Sequence, residues 1–328
     1  DTSGIAQGCD IQLLERRELA KNESLLRSLF GLLVSAHYRT TPLDLRYLMD
    51  APNLDVHALF QRGRLLGAAL VAREGELPLP LRKGILSGRR RPRGHLLPQL
   101  LASRCGLRQA LEMRCERVVR IAVHPAVQGR GLGSRLLNHL IGSAAERGVE
   151  ILGTSFGATP EVFNFWKRAG FQPLRLGYRR EASSSSHALV MALSLNNHSQ
   201  TLIEKAASRF QQGFPLQLGE IFRDLDPSLA LALMVPEKTK LKEEECRLLE
   251  AFAAGSLPYL DALPGLHSLC ATLSDPTDAG QRLLLEKVLQ RRSWQELAER
   301  HGLAGRKAVI QLLRKAVIDL AQCRSHSG

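Results

Sequence analysis

The sequence predicts an α/β domain followed by a mainly α-helical one, on three observations. Strand-like and helix-like runs interleave up to about residue 195, one strand enters a helix through a glycine-rich turn, and from Asn196 onward the apolar spacing is helical nearly throughout. The predicted domains are therefore 1–195 and 196–328, and 328 residues, 44% hydrophobic and 23% charged, suffice for two cores.

Taken in order, an amphipathic pattern runs from about Glu18 to Ala36, and a Thr-Thr-Pro turn then opens a short helix over Leu43 to Met49 with Pro42 in its first turn. The runs VHALFQRG and RLLGAALVARE, divided at Arg62 and Gly63, read as a hairpin. Residues 82–120 hold eleven Lys/Arg against two acids and include GRRRPRG, so a solvated basic loop between helices is expected there. VVRIAVHP reads as a buried strand, Gly131 to Arg147 as an amphipathic helix, Glu150 to Ser155 as a strand, and Pro160 to Ala169 as a helix stopped by Gly-Phe. Two strands follow around Leu174 to Arg180 and Ala188 to Leu195, joined by a tetraserine loop. Breaks in the helical tail are expected at Gly213-Phe214-Pro215, Asp226-Pro227, Pro236, Gly255 to Pro258, Pro264-Gly265 and Asp275 to Gly280.

Charge narrows the function. The net +13 is uneven: residues 1–195 hold 28 basic and 16 acidic side chains, residues 196–328 hold 17 and 16. A polyanionic partner for the first domain follows. Cys9, Cys105, Cys115, Cys246, Cys270 and Cys323 lie far apart with no metal-ligand spacing, which predicts a reducing compartment and no metal site. No run reaches the ~18 apolar residues of a membrane span, and no secretory leader pattern is seen, so a cytoplasmic protein with no membrane partner is expected. The opening DTSGIAQGCD begins at Asp1 and reads as a linker, which predicts a piece of a longer polypeptide. With no Gly-Lys dipeptide, this chain carries no Walker A phosphate loop.

The segment Arg120 to Leu136, RIAVHPAVQGRGLGSRL, carries the chemistry. A strand ending in a glycine-rich turn that feeds a helix aims free N–H groups and the positive helix end at one point, an arrangement suited to a pyrophosphate. Gly129, Gly131 and Gly133 allow close backbone approach, and Arg130 or Arg135 can add a charge-assisted contact. The pattern Val-His-Pro, two residues, Gln-x-x-Gly-x-Gly and helix resembles the coenzyme A motif of GNAT acetyltransferases, and NFWKRAGF at Asn164 to Phe171 resembles that superfamily's next conserved piece. This resemblance implies the GNAT acyl-CoA N-acyltransferase fold, a mixed central sheet flanked by helices, with acetyl-CoA as co-substrate. It also implies that the strand Ile121, Ala122 and Val123 splays from its neighbour and offers a backbone N–H to the thioester carbonyl, while Gln128, Gly129, Arg130, Gly131, Leu132, Gly133 and Ser134 hold the pyrophosphate.

Beyond the superfamily, SAHYRTTPLDLRYLMDAPN, RRPRG, RIAVHPAVQGRGLGSRLL, TSFGATPEVFNFWKRAGF and RREASSSSHALVMAL are similar to the tRNA(Met) cytidine acetyltransferase family, densely over residues 25–195 and more loosely in the tail. The resemblance implies transfer of acetyl from acetyl-CoA to the N4 amine of a cytidine in tRNA, at the anticodon wobble position of elongator tRNA-Met. Members usually carry an N-terminal helicase-like module ahead of the acetyltransferase domain, and ATP enters only with that module. Attack by the delocalised N4 amine needs positioning and a base. His37, beside Tyr38, is the candidate base, with His124 a weaker one and Tyr178 a candidate proton donor to the departing CoA thiolate; equally, His37 caps or packs at a helix end. Glu161 and Arg168, two turns apart on one helix, match positions that touch acetyl-CoA in the family, and a solvated helical pair accounts for them as well. Arg89, Arg90, Arg91 and Arg93 fit contact with RNA phosphates, against the plain alternative of a solvated charge run.

In the tail, Ser293 to Val317 has the cadence of a helix-turn-helix centred on Gly302, equally readable as an ordinary helical pair. Two other readings stand beside the RNA one: a GNAT enzyme acting on a protein or small-molecule amine, and a non-catalytic RNA-binding module of the same fold.

Overall fold

The computed structural model describes residues 8–35, 42–181, 185–236 and 241–325. Two units divide the chain, Asp1–Arg209 and Phe210–Gly328.

In the first unit a seven-stranded mixed sheet is built from β1 (Cys9–Leu13), β2 (Leu54–Gln61), β3 (Arg64–Gly75), β4 (Arg114–Val123), β5 (Ile151–Gly157), β6 (Gln172–Arg180) and β7 (His187–Ser194), in the order β1-β2-β3-β4-β5-β7-β6. Every neighbouring pair is antiparallel except β4 and β5, which run parallel. Arg62 and Gly63, at φ 48° and 74°, close the expected two-residue hairpin between β2 and β3. β1 corrects the linker reading of the opening: Cys9 to Leu13 pair with Gln61 to His57.

Helices cover both faces of this sheet. The single helix expected over Glu18 to Ala36 is two, α1 (Arg16–Lys21) and α2 (Glu23–Ser35), because Asn22 leaves helical geometry and its Oδ1 accepts from the Leu25 N–H. With α3 (Pro42–Asp50), they pack Leu29, Leu33 and Leu48 against Val56, Leu70 and Ala122. On the same face, over the other half of the sheet, lie α4 (Leu79–Leu86), α5 (Leu96–Arg104) and the first turns of α8 (Asn197–Leu218), with Leu97, Leu101 and Ile203 on Cys115, Ile151 and Val190. The expected basic loop thus shrinks to residues 87–95: α4 and α5 flank it, a 3-10 turn (Arg108–Leu111) follows, and β4 begins at Arg114. The opposite face carries α6 (Leu132–Glu146) and α7 (Pro160–Arg168). Along α6, Leu132, Leu136, Leu137 and Leu140 are buried, each stabilising by about 2 kcal/mol.

The second unit is helical: the end of α8, then α9 (Pro227–Leu233), α10 (Glu243–Ala254), α11 (Leu263–Cys270), α12 (Ala279–Leu284) continued by a π-helical segment (Leu285–Leu289), α13 (Trp294–Arg300) and α14 (Arg306–Ser325). The expected break at Gly213-Phe214-Pro215 is absent. Pro215 lies in the last turn of α8, and Phe214 stacks on Phe210 at 5.1 Å and meets Phe222 at 5.8 Å, so ring packing holds the turn helical. Pro264-Gly265 starts a helix rather than stopping one. Ser293 caps α13 in a capping box, Gly302 (φ 62°) ends it, and α14 follows, which is the helix-turn-helix cadence of the sequence. Among the described residues no helix is long and apolar enough to cross a membrane.

Candidate functional site

Parallel pairing of β4 and β5 extends only from Cys115↔Ile151 to Val118↔Thr154. Beyond it β4 continues to Val123 paired with β3 alone, and β5 continues to Gly157 paired with β7 alone. The sheet therefore opens in its interior, along the strand holding Ile121, Ala122 and Val123, where the GNAT resemblance implies a splay. A register shift in β4, between its partners Leu70 and Val71, marks the start of the divergence.

Backbone direction in the gap follows from one hydrogen bond. The His124 N–H donates to the Leu66 carbonyl at 2.8 Å, so the N–H groups of even-numbered residues before it point to β3, and those of Ile121 and Val123 point away, into the gap. The Val123 carbonyl, on the same side, accepts from Gln128 Nε2 at 2.9 Å, which ties the following turn back onto the strand end.

That turn delivers the chain to α6. Gly129 and Gly131 sit at φ 75° and 78°, left-handed geometry that favours glycine, and a Cβ at either would meet nothing within 4 Å. Their backbone is open to an approaching ligand. Gly131 caps α6 without a side chain, so the first-turn N–H groups of Leu132, Gly133 and Ser134 receive no side-chain cap, and no acid occupies that turn. An anion of pyrophosphate size is the natural complement. Arg130 is exposed beside the turn, whereas Arg135 reaches back to the Cys9 carbonyl at 2.6 Å and so takes a structural part.

Aromatic side chains border the gap from the α7 side. Phe165 lies 3.4 Å from the Cβ position of Gly133, its ring meets Trp166 edge-on at 5.3 Å, and Trp166 stacks at 6.1 Å on Phe156, in the end of β5 that β4 leaves. The sequence motif at Asn164 to Phe171 includes two of these rings without giving them a place. Its FNFW spacing was the signal.

Of the remaining expected residues, Glu161 and Arg168 are exposed on α7, and no ion pair among the described residues joins them. His124 caps a 3-10 turn, its Nδ1 accepting from the Ala126 N–H at 3.3 Å. Tyr178 is 51% exposed, with the Arg175 guanidinium 5.0 Å from its ring centre. His37 and Tyr38 lie outside the described residues. Arg120, at the start of the splay, holds Asp44 of α3 at 2.8 Å.

Arg89, Arg90, Arg91 and Arg93 are exposed in the loop between α4 and α5. The Arg89 and Arg90 N–H groups both donate to the Gly84 carbonyl, and Gln99 Nε2 holds the Pro92 carbonyl at 2.7 Å, so this short basic loop is braced at both ends. With Arg104, Arg108 and Arg175, residues of this loop line a cleft of about 840 Å³. Sequence reasoning missed those three, although two of them fall in the basic stretch it singled out.

On the face that α6 covers, His57 of β2 sits in register with Ala69 and Ile121, one strand apart each. It is 2% exposed, both ring nitrogens lack partners, and its ring meets His139 of α6 at 5.6 Å. Burial first, then the neighbouring His139 and Arg147, bring its pKa down to about 4.

The family model described as GNAT acetyltransferase 2 matches residues 28–148 and 141–196, and a second, described as tRNA-binding domain, matches residues 199–325. Among named relatives, the tRNA(Met) cytidine acetyltransferase TmcA of Nitrosococcus halophilus (strain Nc4) is 41% identical over 94% of this chain and 43% of that protein. The TmcA of Vibrio cholerae is 32% identical over 95% and 44%, and that of Haloarcula marismortui 35% identical over 92% and 40%. The chain thus spans less than half the length of each of these relatives.

Proposed function

Because the chain belongs to the GNAT acetyltransferase 2 family, we propose that it transfers the acetyl group of acetyl-CoA to the N4 amine of a cytidine in tRNA, as one part of a longer polypeptide. The observation that carries the first half of this reading is the interior opening of the sheet beside an uncapped, glycine-entered helix N-terminus. The names of the relatives, the tRNA-binding model over the helical unit and the basic surplus of residues 1–195 carry the second half. The names of these relatives support tRNA(Met) as the finer form of the substrate; the wobble cytidine of the elongator form and a cytoplasmic reaction belong to the same proposal.

In this proposal the pyrophosphate of acetyl-CoA lies on the N–H groups from Gly129 to Ser134, with Arg130 adding charge, and the arm bearing the thioester enters between β4 and β5. Ile121 or Val123 donates its N–H to the thioester carbonyl and stabilises the oxyanion that forms when the N4 nitrogen attacks. The C–S bond then breaks, the N4 proton passes to a base, and the sulfur leaves as thiolate and takes up a proton. We assign the base to His37, supported by Tyr38. We also assign Glu161 and Arg168 to bracing the co-substrate, supported by their exposure on α7, and ATP has a part only where a helicase-like module is attached.

Incubation of the chain with labelled acetyl-CoA and bulk tRNA, then digestion to nucleosides and mass analysis, tests the reading. Label in N4-acetylcytidine is expected. Acetyl-CoA binding with label appearing instead on protein or small amines would overturn the acceptor assignment. A His37→Ala variant should lose at least tenfold in transfer rate at unchanged acetyl-CoA affinity, and full activity would remove it as the base.

A further inference from the structure

The cleft between the α4–α5 loop and β6 is lined by six arginines, Arg90, Arg91, Arg93, Arg104, Arg108 and Arg175, and by no carboxylate. Among the described residues none of the six takes part in an ion pair. In the same unit Arg82, Arg114, Arg117, Arg120 and Arg147 each meet an acid. The contrast is informative, because like charges gathered around one concavity repel and weaken the fold unless an anion relieves them. Surface arginines kept for solubility alone are dispersed or paired, and these are neither.

Between the guanidinium groups apolar side chains alternate with Ser87, Gln99 and Ser103. Ile85 and Leu100 form the floor, while Leu86 and Leu96 stand at the rim with 43% and 42% of their surface exposed. Arg175 is steadied over the ring of Tyr178. Charge interleaved with apolar surface inside a concavity is complementary to one nucleic-acid strand, whose phosphates take the guanidinium groups while ribose and base faces rest on the leucines. A duplex presents its phosphates on a convex cylinder and would meet only the rim.

We propose that this cleft holds the backbone of an unpaired RNA segment, with Arg104, Arg108 and Arg175 joining the loop arginines. The proposal rests on the RNA reading given above and assigns it a route within the first unit. It also fits the chemistry of the acceptor, since a cytidine must be out of its pair for N4 to be reached.

The test uses the whole chain carrying Arg104→Gln, Arg108→Gln and Arg175→Gln together, with fluorescence anisotropy on a labelled unstructured oligocytidine and on an RNA duplex of equal length, across a salt series. Affinity for the single strand should fall by roughly tenfold or more, and the slope of log affinity on log salt should drop by about 2, near 0.7 for each phosphate that is no longer neutralised. Duplex affinity and acetyl-CoA affinity should be unchanged, the latter reporting that the variant is folded. The same three positions changed to Lys should keep the slope, and a control changing exposed Arg17, Arg27 and Arg64 to Gln should leave it as in the parent. An unchanged slope in the cleft variant, or an equal drop in the control, overturns the cleft while leaving the RNA reading standing. Equal weakening of the duplex overturns the single-strand assignment, and a parent chain that binds acetyl-CoA but neither RNA overturns both readings.

Discussion

A histidine that is 2% exposed and lacks partners on both ring nitrogens resists protonation, and His57 does so with a pKa near 4 against an ordinary 6.5. As pH falls the unfolded chain takes up this proton at about 6.5 and the folded chain only near 4, so the contribution of His57 is complete above pH 6.5 and is lost progressively between these values. The loss amounts to about 3 kcal/mol. Replacing His57 with Leu should flatten that acid limb, and urea midpoints at pH 7.5 and 5 check it: a drop as large as the parent's would show that other groups set it. At Gly131, φ is 78° and no Cβ is accommodated without backbone strain. Gly131→Val should cost at least tenfold in acetyl-CoA affinity by calorimetry and leave RNA binding nearly intact, and unchanged affinity would move the pyrophosphate away from this turn. The turn was legible in the sequence because glycine spacing and strand-helix order both survive without tertiary context. His57 was not, since nothing local to VHALF tells a core histidine from a surface one.

Helix α5 shows why an element can escape a sequence reading. LLPQLLASR is apolar on nearly every side, with Pro98 in its first turn and an arginine run before it, so it offers neither amphipathic period nor obvious start. Tertiary contacts define it instead. The Leu97 N–H donates to Glu74 Oε2 at 2.8 Å, Glu74 also holds Arg117 at 2.7 Å, and the Leu97 side chain fills the space above Gly153, where a Cβ would come within 2.5 Å of it. Glu74→Ala would strand the half-buried Arg117 and uncap the helix, at a cost of about 3 kcal/mol. Chemical denaturation should register this as a lower midpoint, and a shift below a few tenths of a kcal/mol would mean that packing alone docks α5. β1 was missed for the converse reason: five residues on an edge, with only Cys9 buried, carry too little pattern to stand out from a linker.

At the scale of the whole molecule, the charge asymmetry visible in composition agrees with where the arginine cleft lies, in the first unit. Ending the chain after Arg209 should preserve acetyl-CoA affinity, lower tRNA affinity at least tenfold in filter binding, and retain a weak, strongly salt-dependent affinity for unstructured RNA. Complete loss of that residual affinity would place all RNA contact in the helical unit. The fold class and the order of strand, turn and helix were readable because each is a local signal. The gathering of Arg104, Arg108 and Arg175 with the loop was not, because it depends on β6 crossing to the sheet edge beyond β7.

The parting of β4 from β5 after Val118 and Thr154 has a mechanical side. It gives the protein two strand borders in the middle of its own sheet, each with unmatched amide groups of the sort that invite foreign strands to add on. An extended ligand with amides of its own can lie there as a surrogate strand and stitch the halves β1–β4 and β5–β7 together. If the proposed co-substrate is that ligand, its binding becomes the last step of sheet assembly, and the rigidity of the sheet depends on a molecule that the reaction uses up.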